Sequence, residues 1–249
     1  MRNAILKILL LSLLAISLQA QTADEIIAKY LKTVGGIKKI EKINTLVRTG
    51  KFTGGGGFEA KIRQENKRPN LVREEFSLQG LTGVNAYDGT NAWKIEPWSG
   101  KKDAEEMGEE EKKSIIQDAD FDGPLVNYQQ KGYKVKYIGT EPVEGTDALK
   151  LEITIPNGDV YVYYMDTDYY VPIKVDIKRM VRGEEQDYEL TLGDYKEVEG
   201  VYLPFSVETN VKGSPDRSKV SYDKIEANVP VGDDRFTMPA TPAAPQTGK

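Results

Sequence analysis

The feature that most constrains this fold is a two-residue alternation of apolar and polar side chains along much of the chain. In segment 148–155 (ALKLEITI) every second residue is apolar, and segments 58–65, 71–78 and 171–178 repeat the pattern. Successive side chains of a β-strand point to opposite faces of the sheet. The alternation therefore predicts half-buried antiparallel strands, each with one apolar and one polar face.

Fainter alternation of the same kind extends the predicted sheet. It occurs in segments 45–52, 83–88, 92–96, 133–139, 159–166, 187–195, 201–209 and 218–227. Turn dipeptides such as Asp88-Gly89 and Asn157-Gly158 separate neighbouring segments. We expect a mainly β chain of about eleven strands. A sheet this wide must curl, and its apolar concave face must be covered.

Two stretches of helical character can supply that cover. Thr22 and Glu25 form a capping box at the start of the first stretch, and Gly35-Gly36 ends it. A second short helix is predicted around Ile37, Ile40 and Ile43. Further along, residues 103–117 are charged and helix-prone, within an insertion at about 101–131 that interrupts the strand pattern.

The two ends of the sequence differ in composition from the predicted sheet. Residues 1–20 carry Arg2 and Lys7, then an apolar run of signal-peptide length, and are read as a cleaved secretion signal. The Pro- and Ala-rich segment 239–249 is read as a disordered tail. We expect one domain over 21–238, with no transmembrane span in the mature chain.

Absent residue types exclude several kinds of chemistry. The chain has no cysteine and no histidine, which rules out disulfides, thiolate nucleophiles, histidine bases and Cys- or His-based metal sites. The net charge is −5, and removal of Arg2 and Lys7 with the signal makes it −7. We therefore expect no nucleic-acid partner, and we predict no catalytic residue, no metal site and no cofactor.

Three local patterns can be compared with known functional sites. Asp118, Asp120 and Asp122 before Gly123 resemble the opening of a calcium loop, but Gln129 stands where a bidentate carboxylate is needed. The four glycines 54–57 lack the lysine of a phosphate loop and are read as a hairpin turn.

The third pattern concerns Glu74. This acid shares the apolar side of its strand with Val72 and Phe76. It is read as either a catalytic carboxyl group or the partner of a buried Arg or Lys.

Four longer segments carry a family resemblance. They are AYDGTNAWKIEPWSG (86–100), DFDGPLVNYQQKGYKVKYIG (120–139), DALKLEITIPNGDVYVYYMD (147–166) and GVYLPFSVE (200–208). In order and spacing they resemble the outer-membrane lipoprotein-sorting proteins of the LolA/LolB/LppX-like superfamily. The resemblance covers roughly residues 23–238. It implies an unclosed, strongly curved antiparallel half-barrel with a helical lid over an apolar cavity.

The same resemblance implies a function. It suggests a periplasmic carrier that holds lipid or lipoprotein acyl chains under the lid and is not an enzyme. An outer- or inner-membrane lipoprotein-handling protein would be its partner. The alternative is a non-transporting binding or sensor module of the cell envelope with the same fold.

Candidate residues follow from the resemblance and the strand pattern. The predicted cavity lining is Phe58, Ile62, Val72, Phe76, Leu78, Trp93, Leu125, Leu151, Ile153, Val162, Ile173, Val175 and Phe205. The predicted lid residues are Ile27, Tyr30, Leu31, Ile115 and Ile116. The family also implies a lid-closing arginine, and the sequence does not single out Arg48, Arg63 or Arg68 for this role.

Overall fold

Residues 22–181, 184–215 and 217–240 are described by a computed structural model of the chain. The predicted signal segment 1–20 and residues 241–249 of the predicted tail lie outside these ranges. Within them the chain forms one antiparallel sheet of thirteen strands, whose two edge strands do not pair with each other. The expected unclosed, curved half-barrel is confirmed.

The strands follow one another as hairpins on each side of a central pairing between the first and the last. In space their order is β6-β5-β4-β3-β2-β1-β13-β12-β11-β10-β9-β8-β7. Their bounds are β1 Thr45–Thr53, β2 Glu59–Lys67, β3 Leu71–Leu78, β4 Leu81–Tyr87, β5 Ala92–Glu96, β6 Lys101–Glu106, β7 Lys134–Val143, β8 Thr146–Thr154, β9 Val160–Asp166, β10 Pro172–Val181, β11 Glu184–Val198, β12 Val201–Val211 and β13 Arg217–Ala227.

In the part of the chain that the structure describes, three α-helices accompany the sheet: α1 Ala23–Thr33, α2 Ile37–Ile40 and α3 Glu109–Ala119. The predicted capping box is present, since the Thr22 hydroxyl accepts from the Glu25 amide and the Glu25 carboxylate accepts from the Thr22 amide. Both predicted N-terminal helices therefore form. No helix in the described ranges is long and apolar enough to cross a membrane.

The charged insertion differs from its prediction. Residues 101–106 form strand β6 on the edge of β5, with Lys94 opposite Glu105, and only 109–119 is helical. The free edge of β5 offers hydrogen bonds, and Glu105 of β6 lies 3.8 Å from the Lys94 ammonium of β5. These tertiary contacts outweigh the helix propensity of the charged residues.

The connection from β6 to β7 explains what covers the concave face. These strands are neighbours in sequence but occupy opposite edges of the sheet. Residues 107–133, hereafter the crossing segment, must therefore span its whole width. The segment contains α3, and it runs over the face that also carries α1 and α2, which we name the inner face.

The opposite, outer face is covered in part by residues 228–238, which follow β13. Phe236 is fully buried and packs with Val47 and Val231. Arg235 forms ion pairs with Glu65 and Glu75 at 2.9 and 2.7 Å. The C-terminal part of the fold therefore seals the outer side of β1–β5.

Candidate functional site

One half of the inner face is filled by the protein's own side chains. Ile26 and Ile27 of α1 pack with Leu151, Ile153 and Met165 in a single buried cluster. A second cluster joins α1 and α2 to the centre of the sheet and contains Val34, Ile40, Leu46 and Phe205. The gap that remains between α1, α2 and β12 measures only about 30 Å³.

The other half of the inner face is open. A pocket of about 470 Å³ lies over β2–β5 and β13, a volume within the range of small-molecule sites. Its apolar wall consists of Ile62, Phe76, Trp98 and Val220. Its polar lining consists of Arg63, Gln64, Glu74, Glu75, Asn85, Glu96, Ser99 and Tyr222. An apolar volume with a polar end suits an amphiphilic ligand.

Four aromatic rings form a continuous row beside this pocket. The ring centroids of Phe58 and Phe52 are 5.7 Å apart, those of Phe52 and Phe76 5.4 Å, and those of Phe76 and Trp98 5.6 Å. Both ends of this aromatic row are exposed, Phe58 to 44% and Trp98 to 45%. The row therefore gives an apolar surface that leads from solvent into the pocket.

Gly83 brings Trp98 into place. A Cβ atom at position 83 would lie 2.5 Å from the Trp98 ring, which is closer than real Cβ atoms approach other atoms. The indole therefore packs directly against the backbone of β4 at Gly83. Because Trp98 belongs to the short turn between β5 and β6, this contact fixes the turn over the pocket.

A chain of polar side chains crosses the inner face at the inner end of the pocket. The Arg48 guanidinium donates to Gln64 Oε1 at 3.0 Å and to Asn66 Oδ1 at 2.8 Å. The Gln64 amide then donates to Glu74 Oε1 at 2.9 Å, and the Asn66 amide donates to the Asp118 carbonyl at 2.8 Å. This network links β1, β2, β3 and α3 around one buried polar centre.

The carboxyl groups of this centre, Glu74 and Asp118, have pKa values above the ordinary range for carboxyl groups. Burial raises the pKa of Glu74 to about 8, the nearby charge of Asp118 adds to the effect, and the Gln64 hydrogen bond and Arg48 oppose it. The pKa of Asp118 is raised to about 6, again mainly by its depth within the protein. Glu74 is therefore largely neutral at pH 7.

Helix α3 is tied to both sides of the sheet. Ile115 and Ala119 pack on Val72 and Tyr87. On the far side, Arg179 of β10 donates to Ser114 and Gln117. The same guanidinium faces the buried Asp159 carboxylate at 3.4 Å. The helix thus forms a strap across the concavity.

The remainder of the crossing segment is held by Arg68. Its guanidinium makes two bonds to the Asp122 carboxylate, at 2.7 and 2.8 Å, and donates to the carbonyls of Ile40 and Ile43. Of the three candidate lid arginines, Arg68 therefore contacts the helical cover directly. Arg63 pairs with Glu65 on the outer face, and Arg48 belongs to the polar centre.

The predicted cavity residues separate into two groups on the inner face. Ile62 and Phe76 line the open pocket, Phe58 lies at the end of the aromatic row, and Leu78 faces the same side as Phe76 two residues further along β3. Leu125, Leu151, Ile153 and Val175 lie in the filled half with α1, Phe205 lies in the second cluster, and Val72 lies under α3.

Three predicted cavity residues lie elsewhere. Trp93 is buried on the outer face, where its indole N–H donates to the Phe236 carbonyl at 2.7 Å. Val162 stands opposite Glu152 and Asp176, and therefore on the face opposite that of Leu151. Ile173 lies at a β-bulge, beside Lys174 and Glu189. A bulge shifts the alternation that the sequence pattern assumes.

The predicted lid residues are also divided. Ile27, Tyr30 and Leu31 pack on the inner face, and Ile115 of α3 packs on Val72 and Tyr87. Ile116 is 44% exposed. These positions are compatible with a cover over the inner face, but they place most of the α1 contacts over the filled half.

The pocket also contains four residues that were not predicted from the sequence: Val220, Tyr222, Gln64 and Asn85. The first two come from β13, which reaches the site only because it pairs with β1. Gln64 and Asn85 carry a detectable signal, since each is a polar residue in phase with the apolar side of its strand.

The three aspartates that resembled a calcium loop diverge. Asp120 pairs with Lys131, Asp122 pairs with Arg68, and Asp118 faces the polar centre. Their carboxylates therefore do not converge on one point. In the described ranges no group of three or more acidic residues is placed to hold a metal ion.

Solved structures share this architecture. A LolA superfamily protein from Nitrosomonas europaea matches with a TM-score of 0.60 and 14% identity, over 88% of this chain and 98% of that one. An outer membrane lipoprotein-sorting protein domain from Vibrio parahaemolyticus matches at 0.57 and 12%, over 85% and 94%. A DUF1329 family protein from Desulfovibrio piger matches at 0.58 and 13%, over 85% and 97%.

These likenesses define the class of fold. No protein-family model matches the sequence, and no curated protein matches it. The chain has the half-barrel fold of the LolA superfamily, as the sequence resemblance predicted. At 12–14% identity, these likenesses show a shared fold and do not identify a ligand.

Proposed function

We propose that this protein is a periplasmic lipid-binding carrier that holds acyl chains in the open half of its inner face. The observation that carries the proposal is the pocket of about 470 Å³ that the helices leave uncovered. Its apolar wall and the aromatic row supply a surface for a hydrocarbon chain, and its polar end supplies contacts for a head group. The fold shared with lipoprotein-sorting and LolA superfamily proteins supports the same proposal.

The energetics allow binding and release. Burial of one methylene group is worth about 0.8 kcal/mol, so a chain of about sixteen carbons gains about 12 kcal/mol before costs. The half-open pocket buries only part of such a chain, and ordering the chain costs entropy. The net affinity therefore stays low enough for a carrier to pass its cargo on. A lipoprotein-handling protein of the inner or outer membrane would supply or receive it.

The absence of an evident reaction centre at the pocket agrees with a binding role. Glu74 hydrogen-bonds to Gln64, and the neighbouring acid Glu96 pairs with Lys94. Asp118, the acid that acts electrostatically on Glu74, borders only the smaller groove, whereas a carboxylate-based hydrolase needs two carboxyl groups that face each other across its substrate cleft. We propose no enzymatic activity.

The second candidate is a non-transporting binding or sensor module. One observation favours it: the half of the inner face under α1 and α2 is packed solid. In this case the pocket would sense a ligand or scaffold an envelope complex without delivering cargo. Transfer of a bound probe to acceptor vesicles separates the two functions.

The test is uptake of a fluorescent fatty acid by the purified protein, with native mass spectrometry of protein isolated from a periplasmic extract. We expect co-purified lipid and saturable probe binding. Ile62→Glu, which places a charge in the apolar wall, should lower probe affinity about tenfold or more. Ile138→Glu is the matched control, since Ile138 is exposed on edge strand β7. Ligand-free protein that takes up no probe would overturn the proposal.

A further inference from the structure

Glu74 stands where two spaces on the inner face meet. It borders the main pocket and also a smaller groove of about 220 Å³ between β3–β5 and α3. Asn85 and Glu96 border both spaces as well. A ligand whose tail lies along the aromatic row would bring its head group to this junction.

The junction has more acidic than basic side chains, although Glu74 itself is largely neutral at pH 7. The groove is bordered by four acids, Glu74, Glu96, Glu111 and Asp118, and by one base, Lys94. Lys94 already pairs with Glu96 at 2.9 Å and with Glu111 at 2.7 Å.

Nearby arginines offset part of this charge, since Arg48 acts on Glu74 and Asp118, and Arg179 acts on Asp118. Arg63 also borders the main pocket, but its charge is taken up by Glu65 on the outer face. Arg48 lies behind the Gln64 amide, to which it donates.

The Glu74 carboxyl group has capacity for another partner. One oxygen accepts from Gln64, and no other hydrogen bond to this carboxyl is formed by the described residues. A carboxylate can accept several hydrogen bonds, and an ammonium group offers three donors. The amide oxygen of Asn85 and the hydroxyl of Tyr222, both on the pocket wall, lie among the remaining acceptors.

From this geometry we propose that the pocket selects single-chain amphiphiles with a protonated amine head, which binds Glu74 while the tail lies along the aromatic row. The inference rests on the proposed lipid-binding function and names its ligand class. A carboxylate head would add a negative charge beside Glu96 and Asp118, at a cost that burial increases. An uncharged head would be neither attracted nor repelled by these acidic groups.

Binding of an amine should be coupled to proton release. The ammonium group favours the ionised form of Glu74, whose pKa is raised in the free protein. The charged or titratable groups around this carboxyl are Asp118 and Glu111 on α3, Arg48 on β1, Tyr222 on β13, and Lys94 and Glu96 at β5. Amine affinity should therefore rise between pH 6 and pH 8.5, while the affinity of an uncharged head should not.

The experiment compares three amphiphiles with the same twelve-carbon tail: dodecylamine, dodecanoate and dodecyl maltoside. A fluorescent probe is first bound to wild-type protein or to Glu74→Gln. Each amphiphile is then added below its own critical micelle concentration, and displacement of the probe is measured. The matched control is Glu152→Gln, the same substitution on the outer face. We expect wild-type protein to bind the amine about tenfold more tightly than the carboxylate, and Glu74→Gln to lose that preference.

The outcomes separate the two proposals. If all three heads bind equally, or if the carboxylate is preferred, the amine inference is overturned and lipid binding stands. If Glu74→Gln weakens all three alike, Glu74 supports the pocket without recognising the head, and the inference again falls. If none of the three amphiphiles displaces the probe or binds in the pocket, lipid binding itself is contradicted.

Discussion

The indole nitrogen of Trp93 donates to the carbonyl oxygen of Phe236, which lies 143 residues further along the chain, at 2.7 Å. Both residues are buried on the outer face. This bond and the ring of Phe236 fasten the C-terminal part of the fold to β1–β5. The outer face thereby has its own small core, separate from the inner one.

Phe236→Ala should destabilise the protein by about 3–5 kcal/mol, because the ring is fully buried and its removal leaves a cavity. Urea unfolding followed by circular dichroism measures the loss. Phe58→Ala is the control, since Phe58 is 44% exposed and its truncation should cost about 1 kcal/mol or less. Equal losses in the two variants would contradict the role given to Phe236.

Arg68→Met should cost about 3–5 kcal/mol, because it leaves the largely buried Asp122 carboxylate without its partner. A double-mutant cycle with Asp122→Asn, measured by urea unfolding, should show coupling. The comparison pair is Lys136 and Glu152, which are 4.0 Å apart and more exposed. Their coupling should stay below about 1 kcal/mol. Absence of coupling between Arg68 and Asp122 would contradict the role of Arg68 in holding the crossing segment.

The stability of the protein should fall between about pH 5 and pH 8 through Glu74. Its folded pKa is raised from near 4.5 to about 8, so in this window the folded state keeps a proton that the unfolded state has lost. Stability is therefore present at low pH and is lost as the pH rises. For one carboxyl group the slope is at most about 1.4 kcal/mol per pH unit.

Glu74→Gln should remove this contribution, so that the variant gains stability relative to wild type as the pH increases. Urea unfolding of both proteins at pH 5 and pH 9 measures the difference. Asp118→Asn gives a second reference. The pKa of Asp118 is also raised in the folded state, to about 6, so its ionisation likewise lowers stability as the pH rises. A difference between Glu74→Gln and wild type that does not change with pH would contradict the prediction.

Trp98 should report ligand binding directly. The chain has two tryptophans; Trp93 is 1% exposed, whereas Trp98 is 45% exposed at the pocket. A hydrocarbon chain in the pocket replaces water around Trp98, so its emission should shift to shorter wavelength. Trp98→Phe should abolish the shift and leave the Trp93 emission unchanged. A shift that persists in Trp98→Phe would place the ligand elsewhere.

Arg179→Met should loosen α3. The substitution removes the donors to Ser114 and Gln117 and leaves Asp159 without its guanidinium partner. Backbone amides of 109–119 should lose protection in hydrogen exchange, by about 1–3 kcal/mol, and probe uptake should become faster. Lys178→Met is the control, since Lys178 is 58% exposed. Unchanged exchange in α3 would show that Arg179 does not restrain it.

The sequence predicted the sheet well because strand alternation is a local signal. Each of the twelve predicted strands is present, and the capping box at Thr22 and Glu25 forms. Strand β6 was missed because its residues gain strand structure only from pairing with β5. Trp93 and Val162 were assigned to the wrong side because the pattern identifies an apolar face without identifying what packs on it.

The site was less predictable than the sheet. Ile62 and Phe76 followed from alternation, and Glu74 was recognised as an acid on an apolar face. Its hydrogen bond to Gln64, with Arg48 beyond, depends on the register of β1, β2 and β3. The pairing of β13 with β1, which adds Val220 and Tyr222, has no local sequence signal because it joins residues far apart in the chain.

The crossing segment 107–133 is joined to strands at both of its ends, and those strands lie at opposite margins of the sheet. It cannot swing aside like a flap with one free end. Only its middle can lift, and only as far as the slack between β6 and β7 permits. Cargo would then enter the uncovered half from the side, tail first past Phe58 and Trp98, and only a head group that reaches the groove against α3 would be limited by the gap that this tethered span can open.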